Sequence, residues 1–211
     1  MIRIFLLLCV AALSSGCFVV YSSPAPRAIQ LHEPKTRVAT EPVRHEATSL
    51  LFPKKAGSYL LVGTTQFDTE GLDIDAAYMA SPTSAQITVY VYPGPGIEYF
   101  GTPKSTVRKM EAEEVGKAMD AAAIQIGAGK SGFKLIQDGA FDAPLGQGSS
   151  RCWEFVDERV PGAESQVTCC RILIYDHKWF IKTRLTGAVS EHAELEATID
   201  EILANLKVSK K

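Results

Sequence analysis

The sequence predicts an α+β domain, a mainly antiparallel sheet packed by one central and one C-terminal helix. Three observations point there. Short stretches of alternating apolar and polar residues occur in consecutive runs on both sides of the chain's middle. A single long apolar stripe, Val107 to Ile126, separates those runs at helical spacing. A second stripe, Leu195 to Leu206, closes the chain. Strands that arrive in runs joined by turns pair antiparallel, whereas a parallel sheet needs a helix between each pair.

The chain has 211 residues, with 22 Lys plus Arg against 24 Asp plus Glu, enough for one domain with a real core. Its basic residues cluster only at Lys207, Lys210 and Lys211, which solvate a C-terminus, so no nucleic acid partner is expected.

Residues 1–16 read as a secretory leader: Arg3, an apolar run from Ile4 to Leu13, then Ser14, Ser15 and Gly16. The run falls short of the roughly 20 apolar residues a membrane span requires. Leu13-Ser14-Ser15-Gly16-Cys17 resembles the lipobox of bacterial lipoproteins, although Ser14 stands where that pattern prefers leucine. The resemblance implies a diacylglyceryl group on Cys17, cleavage before it, and a bacterial envelope location. Phe18, in place of aspartate, then favours the periplasmic side of the outer membrane. Acyl chains contribute about 0.8 kcal/mol per buried methylene, so such an anchor holds the protein on a membrane. The same small residues also fit ordinary signal peptidase, which would leave a soluble secreted or periplasmic chain.

Residues 17–49 carry Pro24, Pro26, Pro34 and Pro42 among mixed charges and show no apolar period, so they read as a flexible tether. His32 and His45 lie in it without partners at ligand spacing and are expected in solvent. The globular domain is expected over residues 50–208. Tyr59 to Val62, Leu72 to Met79 and Gln86 to Tyr92 read as strands, the last with Ile87, Val89 and Val91 on one face. Pro93-Gly94-Pro95-Gly96 ends that strand. Thr102-Pro103 then starts the central helix.

Gly127-Ala128-Gly129-Lys130-Ser131-Gly132 contains a Gly-Lys-Ser step, but Ile124 stands where a phosphate loop needs glycine and the stretch ends a helix rather than opening one. A glycine helix stop fits it better, and no nucleotide is expected. Phe133 to Gln137 is strand-like.

Cys152 to Arg159, Gln166 to Asp176 and Trp179 to Thr186 form a second run of strands, with turns at Pro161-Gly162 and Asp176-His177-Lys178. Alternation gives Trp153, Phe155, Cys170, Ile172, Ile174, Trp179, Ile181 and Leu185 one shared buried face, and Glu154, Glu158, Arg171, Lys182 and Arg184 the other. The last helix begins near Ser190, its expected cap, with His192 exposed in its first turn.

A two-residue turn at Pro161-Gly162 would set Cys152 opposite Arg171 and diagonal to Cys169, about 7–8 Å away. Buried free thiols are therefore the leading reading for Cys152, Cys169 and Cys170. A Cys152–Cys169 disulfide, allowed by a different register in an oxidising compartment, is the alternative. A zinc site lacks close ligand pairs and a neighbouring histidine in sequence. Asp68, Glu70, Asp73 and Asp75 crowd one segment, but Met79 stands where a calcium loop needs its closing glutamate. Ser149 and Ser150 lack the strand-to-helix elbow of a hydrolase nucleophile.

From Leu50 to Val208 the element order, and above all the closing Trp179-to-Leu206 strand-turn-helix, resembles the PsbP-like fold family. That resemblance implies an accessory or assembly role rather than catalysis and carries no binding residue onto this chain. The residues thus specify no catalytic, cofactor or metal site. The expectation is a membrane-anchored envelope lipoprotein serving as a non-enzymatic accessory or interaction module for an unnamed protein partner. A small-molecule or lipid carrier, marked by a large apolar cavity between helix and sheet, is the alternative. A hydrolase comes third and needs His177 or an acidic pair beside a nucleophile.

Overall fold

The structure, a computed structural model, describes residues 21–22, 30–81, 85–94, 97–98, 103–157 and 164–208. In chain order the strands are β1 (Tyr21–Ser22), β2 (Gln30–Val38), β3 (Val43–His45), β4 (Leu50–Phe52), β5 (Lys55–Ala56), β6 (Tyr59–Asp68), β7 (Ile74–Met79), β8 (Gln86–Pro93) and β9 (Ile97–Glu98). Helix α1 (Lys104–Gly127) follows, then β10 (Ser131–Ala143), β11 (Gly146–Val156), β12 (Gln166–Tyr175), β13 (Trp179–Ala188), α2 (His192–Asn205) and β14 (Lys207–Val208). Among the described residues no helix is long and apolar enough to cross a membrane.

The main sheet runs β10-β11-β12-β13-β8-β7-β6-β2, with β5 also on β6, and every pairing is antiparallel. The fold class is α+β. One helix packs on each face, and β12 shows why. Val167, Cys169 and Leu173 point to the core under α2, while Cys170, Ile172 and Ile174 point to the core under α1. A strand apolar on both faces has to be covered on both.

The expected sharing of one face fails at β13. Trp179, Ile181 and Leu185 lie under α2, opposite the face that holds Trp153, Cys170 and Ile172. Arg171 joins them on the α2 side, being in register with Thr183. The cause is the turn: Tyr175 pairs with Trp179 across Asp176-His177-Lys178, so odd residues oppose odd ones, and a single residue's change in loop length would exchange the faces. Asp176 and His177 adopt left-handed backbone at φ 49° and 56° to close it.

The stretch 17–49 also does more than its composition foretold. Gln30–Val38 is paired with β6 and Val43–His45 with β4. Positions 33–38 are all exposed at the sheet's edge, where Pro34 and alternating charges are tolerated, so no apolar period announces this strand. His45 is not in solvent: it is 1% exposed, its Nδ1 lies 2.7 Å from Thr48 Oγ1, and its ring meets that of Trp179 edge-on at 5.3 Å. Burial pushes the imidazole below its ordinary pKa.

Leu195, Ile199, Ile202 and Leu203 bury the whole length of α2. Close seating is possible because Gly187 lacks a side chain; a Cβ there would lie 2.8 Å from Leu195 Cδ1 and 2.7 Å from Ala85 Cβ. Ser190 does not cap this helix, since Val189–Glu191 forms a 3₁₀ turn that feeds α2 directly. By contrast α1 buries Val115, Met119, Ala122 and Ile126, all from its midpoint onward, and leaves Val107 and Met110 only half-buried.

Candidate functional site

Two places on the two faces of the sheet gather chemistry. The first follows from the incomplete seating of α1. Between its first half, the β10–β11 hairpin and the β12–β13 turn lies a cavity of about 540 Å³. Arg108, Glu111, Ala112 and Val115 come from the helix, Asp142, Gln147 and Ser149 from the hairpin, and Ile174, Asp176 and His177 from β12 and its turn. Gly148 lets the hairpin fold tightly here, since a Cβ would collide with the Ile172 carbonyl and the Phe141 ring.

Two polar contacts tie the walls of this groove together. His177 Nδ1 lies 2.6 Å from Glu111 Oε1, which ties the turn to the helix. Gln147 donates to Asp142 at 2.8 Å. Ser149 lines the groove, whereas Ser150 is buried, its residue paired with Arg171 on β12. The result is a cleft with charged rims and an apolar wall of Val115 and Ile174, suited to holding a ligand with both kinds of surface.

The second place is on the α2 face. Cys152 and Cys169 are directly opposite in the β11–β12 ladder, 4.0 Å apart at Cα, and are joined by a disulfide. The ladder is displaced by two residues from the one a Pro161-Gly162 turn would impose, so the diagonal, unbonded arrangement gives way to a facing pair. Cys170 alone of the described cysteines is free; it is buried on the other face, and desolvation pushes its thiol up to about 11, which keeps it protonated and unreactive at neutral pH.

His192 departs from the sequence reading as well. Its Nε2 donates toward Cys169 Sγ at 3.1 Å, and the side chain is 23% exposed. Glu196, one turn on, reaches within 3.9 Å of His192 and 4.0 Å of Cys152 Sγ. Arg171, whose side chain is 8% exposed, grips Glu196 at 3.2 Å and also pairs with Asp200. In sequence 23 residues separate Cys169 from His192, so no ligand spacing marks the histidine's place beside the cysteines. The one available signal was the i, i+4 spacing of His192 and Glu196 on a helix face.

The other singled-out residues are structural. Asp68 is fully buried and both its oxygens accept the Leu72 N–H, at 2.9 and 3.0 Å, which shapes the β6–β7 turn. Asp75 accepts the Thr65 N–H at 3.0 Å, and burial raises its carboxyl above the usual range. Lys130 of the Gly-Lys-Ser step sits 3.5 Å over the Phe155 ring. Cys17 and the leader lie outside the described residues, as does the His32 side chain. No protein-family description and no curated protein matches the chain.

Proposed function

We propose that this protein is a lipid-anchored bacterial envelope module of PsbP-like fold, attached through Cys17, which binds a ligand or a partner's side chain without catalysing a reaction. The groove under the first half of α1 carries this reading. Two of its polar contacts, His177 with Glu111 and Gln147 with Asp142, join the walls and shape a cleft. The leader-like residues before Cys17, and the short Pro24- and Pro26-bearing stretch between it and β2, support a domain attached to a membrane.

The test is a fragment screen read by amide chemical shifts on the mature domain. Binding is expected to perturb residues 108–115, 140–149 and 174–177, and Ala112→Trp, which fills the groove, should abolish those shifts. Fragments that bind elsewhere, or that ignore the tryptophan, would remove the groove from the account. Intact mass of membrane-extracted chain, compared with Cys17→Ser, checks the anchor separately: a diacylglyceryl mass on a chain beginning at Cys17 is expected in the first and lost in the second.

A second reading, a small-molecule carrier, draws on the cavity's size, which lies within the roughly 300–1,000 Å³ of small-ligand pockets. It expects an apolar molecule to be released on denaturing the natively purified protein, and none from Ala112→Trp.

A further inference from the structure

The cluster on the α2 face is built like a metal site closed by a disulfide. Cys152 Sγ, Cys169 Sγ, His192 Nε2 and a Glu196 carboxylate oxygen all lie within 4.8 Å of one another. Tetrahedral zinc, with bonds of about 2.0–2.3 Å, holds its ligand atoms roughly 3.3–3.8 Å apart. The distances of 3.1 Å from Cys169 Sγ to His192 Nε2, 3.9 Å from His192 Nε2 to Glu196 Oε2 and 4.0 Å from Cys152 Sγ to Glu196 Oε1 approach that figure, with the carboxylate presenting one oxygen to each partner. The sulfur–sulfur bond is far shorter than that figure and has to open before a cation can be held.

We propose that reduction of the Cys152–Cys169 disulfide opens a four-ligand site for a zinc-like divalent cation, formed by Cys152, Cys169, His192 and Glu196. A dithiol supplies the two electrons and two protons and is itself oxidised to a disulfide, leaving two thiols on the chain. The cation then binds both sulfurs as thiolates, releasing their two protons to solvent. His192 ligates through Nε2 as neutral imidazole, with its proton moved to Nδ1. The same sulfur electrons make either the disulfide or the metal bonds, so the two states exclude each other.

The surroundings fit this donor set. Two thiolates and a carboxylate exceed the charge of a divalent cation by one, and Arg171 supplies a buried positive charge against Glu196. Asp200 holds Arg171 from its other side. Both cysteines are fully buried, while His192 and Glu196 are partly exposed, which leaves a path from solvent through α2's outer edge. Cys170, on the opposite face, takes no part. Two thiolates with one imidazole and one carboxylate suit zinc over magnesium or calcium, which prefer oxygen alone. The site stands independently of the groove.

The test uses the full chain reduced with a water-soluble phosphine and titrated with cobalt(II). One cobalt per chain is expected, with thiolate-to-metal charge-transfer absorption that zinc abolishes by displacement, and no such band before reduction. His192→Ala and Glu196→Gln retain the disulfide and can be checked for folding in the oxidised state; after reduction each should weaken binding tenfold or more. Cys170→Ala should bind as wild type does. The proposal falls if the reduced chain gives no thiolate band, if His192→Ala binds equally well, or if Cys170→Ala loses the band. It falls too if reduction unfolds the chain and zinc does not restore it.

Discussion

The two faces of the sheet are covered by helices of unequal commitment. Under α2 the apolar contact runs the length of the helix, from Leu195 to Leu203, and Gly187 lets it sit close. Under α1 the buried positions run only from the midpoint onward, from Val115 to Ile126, although α1 is the longer helix at 24 residues against 14. The difference separates the face that contributes most of the buried apolar contact from the one that leaves a groove open. Length alone stabilises little; buried apolar surface does. The unburied half of α1 forms one wall of the groove.

Truncating one side chain on each helix separates the two faces most sharply. Ile199→Ala, in the middle of the fully covered face, should cost roughly 3–4 kcal/mol in denaturant unfolding, because the cavity adds to the lost transfer energy. Val107→Ala on the open half of α1 should cost less than about 1 kcal/mol. Equal losses would show that the first half of α1 is packed after all. Replacing both Cys152 and Cys169 by alanine should lower stability by about 3 kcal/mol, as expected for a cross-link spanning 17 residues, and leave the groove's ligand response intact.

A smaller effect belongs to pH. His45 is buried against Trp179 on the α2 side, and its folded pKa is lowered by desolvation. The unfolded chain takes up the proton near its ordinary value of 6.5, while the folded chain resists it. Its contribution is therefore complete above that value and is lost as pH falls through the lower folded value. Unfolding midpoints taken from pH 7.5 to about 5 should fall in wild type and fall less steeply in His45→Gln. A parallel fall in both proteins would assign the loss to other groups. Ala112→Trp, at an exposed position, is the mildest change, expected to move stability by less than about 0.5 kcal/mol.

Much of the architecture was readable because it rests on local periodicity. Ile87, Val89 and Val91 alternate and share one face, and the α2 stripe is buried throughout, whereas Val107 and Met110 of the α1 stripe are only half-buried. What escaped depends on register and distance. The face of Trp179 turns on a three-residue loop, and the pairing of Cys152 with Cys169 on a two-residue displacement, neither of which leaves a mark on composition. Gln30–Val38 escaped because its described side chains are in solvent and an edge strand tolerates proline and charge. The hairpin from Asp138 to Arg151 escaped for a similar reason: β10 is the outermost strand, and most of its residues are exposed. The approach of His192 to Cys169 is tertiary, set by how α2 crosses β12 and β13, and no spacing rule reaches it.

Residue-resolved amide hydrogen exchange on the folded domain tests the contrast between the faces most directly. Amides of residues 199–203 in α2 should exchange only with global unfolding, whereas those of residues 108–114 in α1, although helical, should exchange through local opening at much lower free energy. Uniform protection along α1, equal to that of α2, would contradict the division of the sheet into a stabilising face and an open one.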